Sequence, residues 1–419
     1  MSRLESIALA GMPPPLRKLL RSVRSATIDA PLMARRRATR DSAFLQHMVI
    51  GPPSRSLGGI VVAPAGGLNV GDQAMLESFL RTAPGPVMAI VQHVDTYGLD
   101  GFPDDTEVLH VPGLSLGSPR QHRRALTRFG NALRASRWLA VLGADYLDGS
   151  YQLREAIGAW TLLEVAARSG RDSRAVGFSW KRDVSPAVCK AAQRATSAGV
   201  TAYVRDPLSV QRALADGLSN VHGVADTAFL SAGPTAQETG CVSRLALVNV
   251  SGLIHRSVDL VGEYVMLVEW LVRRGMTVHL IPTSANPSGN DIEACRAVRE
   301  RLHVSIAAQV ELMDPIPSPA AILDLARQAD FVVTGRMHLA VLSLSVGTPA
   351  IALSAHDKML GMMELLGCAD YVVQPGPGVF EEVKAKVEHY QENRDERRSA
   401  LERRLPHVRC LAEASFRDL

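Results

Sequence analysis

The sequence has few cysteines and few aromatic residues, and it has no long uninterrupted apolar stretch. Its five cysteines are far apart and form no CxxC pair, which argues against a disulfide framework and against a zinc site. The least charged stretch, 339–355, contains Gly347 and Pro349 and is shorter than a membrane span requires. The first residues lack the apolar run of a secretion signal. We therefore expect a soluble, cytoplasmic protein without a metal or cofactor.

Most of the chain also lacks a large excess of positive or negative charge. The formal net charge is +4, from 46 Lys and Arg against 42 Asp and Glu. Residues 1–55 hold ten basic and three acidic side chains, which leaves 36 basic and 39 acidic ones in the remainder. A slightly acidic body argues against a nucleic-acid-binding surface, where a large basic field is expected.

The basic segment 1–55 has its own composition. It contains Pro13–Pro15, an arginine run at 35–37, and a short amphipathic stretch at 16–23. The segment is either a partly ordered extension or a helix that docks on an anionic membrane surface or on a partner. Peripheral contact with the inner face of the membrane would follow from the second alternative.

Hydrophobic periodicity predicts two α/β units. The chain of 419 residues is too long for one core of ordinary size. Short apolar runs alternate with helical segments, which is typical of parallel sheets. The first series has strands at 60–63, 87–91, 139–142, 175–178 and 201–204, with helices at 72–81, 155–168 and 186–198. After a Gly/Pro/Thr-rich segment, the second has strands at 245–250, 278–281, 331–333 and 350–353, with helices at 257–274 and 318–327.

These patterns divide the chain into four parts. Residues 56–238 form the N-terminal domain and 239–375 the C-terminal domain, preceded by the extension 1–55. Residues 376–419 are expected to form one or two exposed helices, because charged residues there alternate with spaced apolar ones.

The first candidate segment is the glycine-rich turn 65–72, which includes Asn69 and Asp72. It follows a predicted strand and precedes a helix, for which Asp72 is the expected N-cap. Glycines allow close approach of a ligand, and a helix N-terminus attracts anions. The segment has no Walker lysine and does not match the dinucleotide-binding motif GxGxxG. The sequence therefore supports a purely structural turn as well as it supports a ligand-binding one.

Arg205 and Arg336 each follow a predicted strand. Ligands in parallel α/β folds bind at the carboxyl ends of strands, so Arg205 is placed to meet an anion; an Arg205–Asp206 pair that fixes the loop is the alternative. Arg336 and His338 are the only titratable residues in a stretch of more than twenty, at a strand end and a helix start. That position favours bound anions and an active-site role.

Together these segments resemble the polysaccharide pyruvyltransferase family. The resemblance covers about residues 58–372 and rests on five pieces in order: Gly67–Asp72, Val176–Ser179, Arg205–Ser209, Gly335–His338 with Gly347–Pro349, and Asp357–Lys358. It implies two Rossmann-like domains that face each other across a cleft, as in B-type (GT-B) glycosyltransferases. It also implies transfer of pyruvate from phosphoenolpyruvate onto a sugar of a surface polysaccharide or lipid-linked glycan, as a cyclic ketal with release of phosphate.

The resemblance suggests roles for individual residues. Phosphoenolpyruvate carries a carboxylate and a phosphate, which suit the planar guanidinium groups of Arg205 and Arg336. His338 would supply or shuttle the catalytic proton. Met337 would contribute its backbone to donor binding, and Lys358 would offset donor charge. Two further residues, Asn69 and Asp72, would face the acceptor or brace their loop.

The sequence departs from the family pattern in two places. Segment 142–149 carries carboxylates where relatives commonly have glycines, so Asp145 and Asp148 belong either to an acceptor site or to the cap of the next helix. Segment 284–291 keeps a polar loop before a helix but lacks a histidine often seen there in relatives. The polar trio His356, Asp357 and Lys358 lies either in the cleft or in a helix-start loop that Asp357 caps.

Two other functions remain open at this stage. The same fold could serve a glycosyltransferase that uses a nucleotide sugar, since fold alone does not fix the donor. A non-catalytic partner in glycan assembly, docked through the arginine-rich tail, is the second.

Overall fold

The computed structural model describes residues 31–51, 57–64, 67–92, 96–233, 244–287, 289–354 and 357–419. The amphipathic stretch 16–23 and His356 lie outside these residues. None of the described helices is long and apolar enough to cross a membrane. The described cysteines Cys189, Cys295, Cys368 and Cys410 are free thiols.

The N-terminal domain is a seven-stranded parallel sheet in the order β3-β2-β1-β4-β5-β6-β7. Parallel neighbours require crossover connections, and helices supply most of them. Its elements are α1 (Pro31–Met48), β1 (Leu57–Val62), α2 (Val70–Thr82), β2 (Val87–Val91), β3 (Glu107–His110), α3 (Pro119–Ala135), β4 (Ser136–Ala144), α4 (Leu153–Arg168), β5 (Asp172–Phe178), α5 (Pro186–Ser197), β6 (Thr201–Val204), α6 (Pro207–Ala215) and β7 (Val221–Gly223).

The C-terminal domain is a six-stranded parallel sheet in the order β10-β9-β8-β11-β12-β13. Two helices follow it. The elements are β8 (Leu245–Asn249), α7 (Gly252–His255), α8 (Val261–Arg273), β9 (Thr277–Leu280), α9 (Asp291–Arg301), α10 (Val304–Ala307), β10 (Val310–Leu312), α11 (Pro319–Gln328), β11 (Phe331–Thr334), α12 (Met337–Ser345), β12 (Ala350–Leu353), α13 (Asp357–Leu365), β13 (Val372–Val373), α14 (Val379–Glu392) and α15 (Arg394–Glu413).

The predicted fold class, two Rossmann-like domains, is confirmed by these two parallel sheets with alternating helices. The core strands lie close to their predicted positions, and β6 coincides with its prediction. The helix predicted over 257–274 begins only at Val261, because the chain first forms the short helix α7. The edge strands β3, β7, β10 and β13 were not predicted. Three of them have only two or three residues, and β3 begins and ends with the polar residues Glu107 and His110.

The described part of the N-terminal extension is a helix that packs on the first domain. Helix α1 lies against α3 and α4, and it buries Ala34, Ala38 and Leu45. Leu45 is fully buried, whereas Leu32 in the first turn of the same helix is 61% exposed. Residues 31–48 therefore belong structurally to the N-terminal domain.

Residues 379–413 form two helices that are mostly exposed or half-buried, and each helix buries one apolar stripe. Helix α14 buries Val383, Val387 and Tyr390. The end of the chain returns to the N-terminal domain, where the rings of Phe416 and Phe79 lie 4.9 Å apart. Arg174 of β5 donates a 3.0 Å hydrogen bond to the carbonyl oxygen of Ser415. The C-terminal helices thus connect both domains.

The two domains also meet directly at the glycine-rich turn before α2. The backbone N–H of Val70 donates to the carbonyl of Thr283 at 3.0 Å, and Ala285 N–H donates to the carbonyl of Leu68 at 3.0 Å. Leu68 adopts a left-handed φ of 52° in this turn. These contacts set the edge of the cleft between the carboxyl ends of the two sheets.

The burial of α1 can be tested by a pair of leucine substitutions. Leu45→Ala should lower the free energy of unfolding of the N-terminal domain by about 2–4 kcal/mol, because it removes a fully buried side chain. Leu32→Ala should change it by less than about 0.5 kcal/mol. Denaturant titration of both variants measures the difference. Equal effects would mean that α1 is not packed as described.

Candidate active site

The candidate site lies where the carboxyl ends of the two parallel sheets face each other, which is the usual ligand position in such folds. The N-terminal domain contributes residues that follow β4, β6 and β7 and the start of α2. The C-terminal domain contributes the starts of α12 and α13. Most of the residues singled out in the sequence are brought together here.

Arg205 directly follows β6 and is buried in a shell of partners. Its Nε donates to Ser179 Oγ at 2.9 Å and its Nη1 to Asp226 Oδ2 at 2.7 Å. Its Nη2 donates to Asp145. Burial alone would lower the pKa of Arg205, but the two carboxylates outweigh it and raise the pKa. The guanidinium is therefore permanently charged and firmly held.

The alternative pairing of Arg205 with its neighbour is not observed. Asp206 is the N-cap of α6 instead, and its side chain accepts a 2.8 Å hydrogen bond from the backbone N–H of Ser209. The Arg205–Asp206 pair was suggested because the two residues are adjacent in the sequence. Consecutive residues at the end of a strand point in different directions, so adjacency does not bring their side chains together.

His338 lies in the first turn of α12, with its Nε2 3.3 Å from Oδ2 of Asp226. Burial would raise the pKa of Asp226, but His338 and Arg205 outweigh it and lower the pKa to about 2. Asp226 is therefore ionised and can compensate a positive charge on the imidazole. The ring packs against α2, where a methyl group added to Gly71 would lie 2.0 Å from Nδ1 of His338. Only glycine allows this approach.

Asp145 connects the two domains. Besides Arg205, it accepts a hydrogen bond from Lys358 in the first turn of α13. Burial would raise the pKa of Asp145, but Lys358 and Arg205 outweigh it and hold the pKa well below its ordinary range. A second ion pair joins the domains nearby, with Arg212 Nη2 2.5 Å from Asp357 Oδ2.

Neither carboxylate of segment 142–149 caps the following helix. The residue at the N-cap position of α4 is Gln152. Asp148 accepts a 2.8 Å hydrogen bond from the backbone N–H of Ser150 within its own loop. The helix-cap alternative is therefore wrong, and Asp145 is part of the cleft.

Asp72 is buried and its pKa is raised to about 6, chiefly by burial, although the charge of His338 lowers it. It is not the N-cap of α2, contrary to the prediction. Asn69 holds that position and accepts a 3.0 Å hydrogen bond from Gly71 N–H. Asn69 also forms a β-bridge with Ser284 of the other domain. Because Asn69 caps the helix, the carboxyl of Asp72 is not needed as a cap, and it interacts electrostatically with His338, Asp145 and Arg205 of the cleft.

Arg336 occupies the N-cap position of α12, and its guanidinium donates hydrogen bonds to the Asp291 carboxylate through two nitrogens. Its Nε and Nη2 lie 3.0 Å and 2.7 Å from Asp291 Oδ1, and Nη2 donates to the Gly289 carbonyl at 2.5 Å. The side chain of Arg336 is 17% exposed, and that of Asp291 is fully buried. No acceptor among the described residues takes a hydrogen bond from Nη1 of Arg336. Met337, the next residue, is buried at the helix start.

The sequence patterns did not single out Asp226. It follows β7, a strand of only three residues without a distinct apolar run, so its place near the carboxyl end of a strand could not be recognised from the sequence.

Comparison with solved structures supports the fold class. A putative UDP-N-acetylglucosamine 2-epimerase from Listeria monocytogenes has a TM-score of 0.57 and 12% identity, over 86% of this chain and 94% of that one. The UDP-GlcNAc 2-epimerase from Methanocaldococcus jannaschii has a TM-score of 0.52 and 10% identity, over 79% and 91%. UGT2 from Phytolacca americana has a TM-score of 0.51 and 13% identity, over 86% and 96%.

At these identities the similarity defines a class of protein, the two-domain GT-B-like fold, and not a substrate. A search of curated protein sequences gave no significant match. A protein-family model described as polysaccharide pyruvyl transferase matches residues 110–357, which is more than half of the chain. The chain therefore belongs to the polysaccharide pyruvyl transferase family. The matched span contains Arg205, Asp226, Arg336 and His338.

The close packing of α2 on His338 predicts the effect of a single methyl group. Gly71→Ala should lower the melting temperature, because the new Cβ collides with the imidazole ring. Gly262→Ala is the matched control, since Gly262 is also the second residue of a 13-residue helix and has open space around it. That change should stabilise by about 0.5–1 kcal/mol. A stabilising Gly71→Ala would contradict the described contact.

The raised pKa of Asp72 predicts a pH-dependent effect of removing its charge. In the unfolded chain this carboxyl has its ordinary pKa of 3.8, against about 6 in the folded protein. Its protonated form contributes stability that is complete below pH 4 and is lost as pH rises through 6. The melting temperature of Asp72→Asn minus that of wild type should therefore increase from pH 5 to pH 8. A constant difference would refute the shift.

Proposed function

We propose that the protein transfers pyruvate from phosphoenolpyruvate to a sugar of a surface polysaccharide or lipid-linked glycan, as a cyclic ketal. The observation that carries this proposal is the position of His338. It lies at a helix N-terminus in the cleft, beside the ionised Asp226, which also binds Arg205. Lys358 is linked to Arg205 through Asp145, and Arg336 holds the N-cap position of the helix that carries His338. A proton donor together with these cations suits a donor molecule that carries a phosphate and a carboxylate.

The cations of the cleft would hold the donor. Arg205 and Lys358 are each bonded to Asp145, so together they form a site already shaped for an anion. The donor phosphate would take the place of the Asp145 carboxylate between them. Arg336 is fixed by Asp291 through Nε and Nη2, and its remaining edge would meet the donor carboxylate. The backbone at Met337, where α12 starts, would add N–H groups for an anion.

His338 would deliver the proton that starts the reaction. Protonation of the methylene carbon of phosphoenolpyruvate converts it to a methyl group and leaves a cation-like centre at the adjacent carbon. Imidazole works as an acid and base near neutral pH. Asp226 would keep the ring oriented and offset its charge while it carries the proton.

Two acceptor hydroxyls then complete the ketal. The first attacks the cation-like carbon and loses its proton. The bond from that carbon to the phosphate oxygen breaks, and phosphate leaves with a proton. The second hydroxyl closes the ring and loses its proton. Asp72, with a pKa of about 6, is suited to accept a hydroxyl proton at neutral pH. Asn69 would brace the loop that presents Asp72.

Ligand-dependent stabilisation tests the donor, because a ligand specific to the native state raises the melting temperature. Phosphoenolpyruvate should raise the melting temperature of wild type, and UDP- or GDP-sugars should not. Lys358→Ala should reduce the shift. This variant is preferable to Arg336→Ala, which would leave the buried Asp291 without its main partner. A shift with a sugar nucleotide alone would support glycosyl transfer instead. No shift with any of them would support a non-catalytic assembly role.

Substitution of His338 tests the proton donor. His338→Ala should lower acceptor-dependent release of phosphate from phosphoenolpyruvate by at least about 100-fold, since general acid catalysis contributes that much. The thermal shift with phosphoenolpyruvate should persist. The exposed His407→Ala is the matched control and should retain full turnover. Unchanged turnover in His338→Ala would refute the assignment.

A further inference from the structure

Helix α3 presents a face of arginines that have no carboxylate partner among the described residues and that the candidate site does not use. One of them, Arg128, donates a 2.6 Å hydrogen bond to the carbonyl of His110. The exposed basic residues of α3 recur at helical spacing, and the helix contains no acidic residue. They are Arg120, Arg123, Arg124, Arg128 and Arg134. The apolar residues of α3, such as Leu126 and Phe129, are buried on the opposite side. The arginines therefore face solvent.

Helix α1 extends the same surface. Arg37 contacts His122 near the start of α3, and a Cβ at Gly130 would lie 3.1–3.2 Å from Met48 and Leu45. The two helices thus run side by side in the same direction. The guanidinium of Arg123 lies 3.6 Å from the centre of the Phe44 ring, which joins their outer surfaces.

Helix α1 also has exposed basic residues. Arg35, Arg36 and Arg40 are exposed, and no described carboxylate forms an ion pair with them or with the five arginines of α3. Asp41, the one acidic residue of α1, is directed inward to His122, with its Oδ2 2.9 Å from Nε2. We call the eight arginines on α1 and α3 the arginine face.

Apolar side chains accompany the arginine face. Leu32 and Met33, in the first turn of α1, are 61% and 57% exposed. Leu32, Arg36 and Arg40 are four residues apart and so share one side of the helix. Basic residues next to exposed apolar ones are typical of surfaces that lie on anionic lipid. A soluble polyanion would need the arginines but not the two apolar side chains.

We propose that the arginine face, with Leu32 and Met33, docks the protein on a membrane surface that contains anionic lipids. Arginine side chains would meet the lipid headgroups, and the apolar pair would enter the interfacial layer. Each basic residue near an anionic surface adds to the attraction, so eight on one face are enough for peripheral binding. The proposal does not depend on the donor or the acceptor, because docking requires neither.

Vesicle co-sedimentation of the full chain tests this inference. Wild type should bind vesicles of phosphatidylcholine with one quarter phosphatidylglycerol, and not vesicles of phosphatidylcholine alone. Binding should weaken strongly at high salt. Failure to bind the anionic vesicles, with or without retention on a soluble polyanion such as heparin, would overturn the proposal.

Three sets of variants locate the surface. Arg36→Glu/Arg120→Glu/Arg124→Glu should weaken vesicle binding by at least about tenfold. Arg299→Glu/Arg301→Glu/Arg403→Glu changes the net charge equally, at exposed positions elsewhere, and should bind as wild type does. Leu32→Ser/Met33→Ser should weaken binding several-fold. Equal losses in both triple variants, or no loss in the first, would contradict the proposed face. Donor-induced thermal shifts should be unchanged in all three.

Discussion

The buried guanidinium of Arg205 is the group on which the rest of the cleft depends. A buried charge without partners is very costly, so a carboxylate partner is required for the fold as well as for the site. Asp226, which is itself buried, meets that need, and Asp145 is the second, partly exposed partner. Asp226 contacts both Arg205 and His338, and Asp145 contacts both Arg205 and Lys358. His338 and Lys358 belong to the C-terminal domain. One arginine thereby fixes the relative position of the two domains and of the candidate proton donor.

The charges of this network nearly cancel when no donor is bound. Arg205, Lys358 and Arg336 are matched by Asp145, Asp226 and Asp291. Asp72, with a pKa of about 6, adds a further negative charge at neutral pH. An anionic donor can therefore bind tightly only if a carboxylate moves away from its cations. Asp145 is the best candidate, because it binds two cations and its side chain is 21% exposed. The side chains of Asp226 and Asp291 are exposed by only about 1% or less.

The sequence predicted the parts of this arrangement that local pattern controls. Apolar runs located the core strands, and polar residues at their carboxyl ends located Arg205, Arg336 and His338. Pairing across the cleft depends on tertiary structure, so the partners Asp145 and Asp226 could not be deduced from spacing. The cap of α2 was misplaced because Asn69 and Asp72 both suit the start of a helix. The packing of α1 was missed because five of its residues are charged and few are buried.

Calorimetric titration of phosphoenolpyruvate into wild type and Asp145→Asn tests whether the donor competes with Asp145 for the two cations. We expect one site per chain and an affinity about tenfold higher in Asp145→Asn, because the amide no longer competes for Arg205 and Lys358. That ratio corresponds to about 1.4 kcal/mol. Absence of binding to wild type, or weaker binding to Asp145→Asn, would contradict this competition.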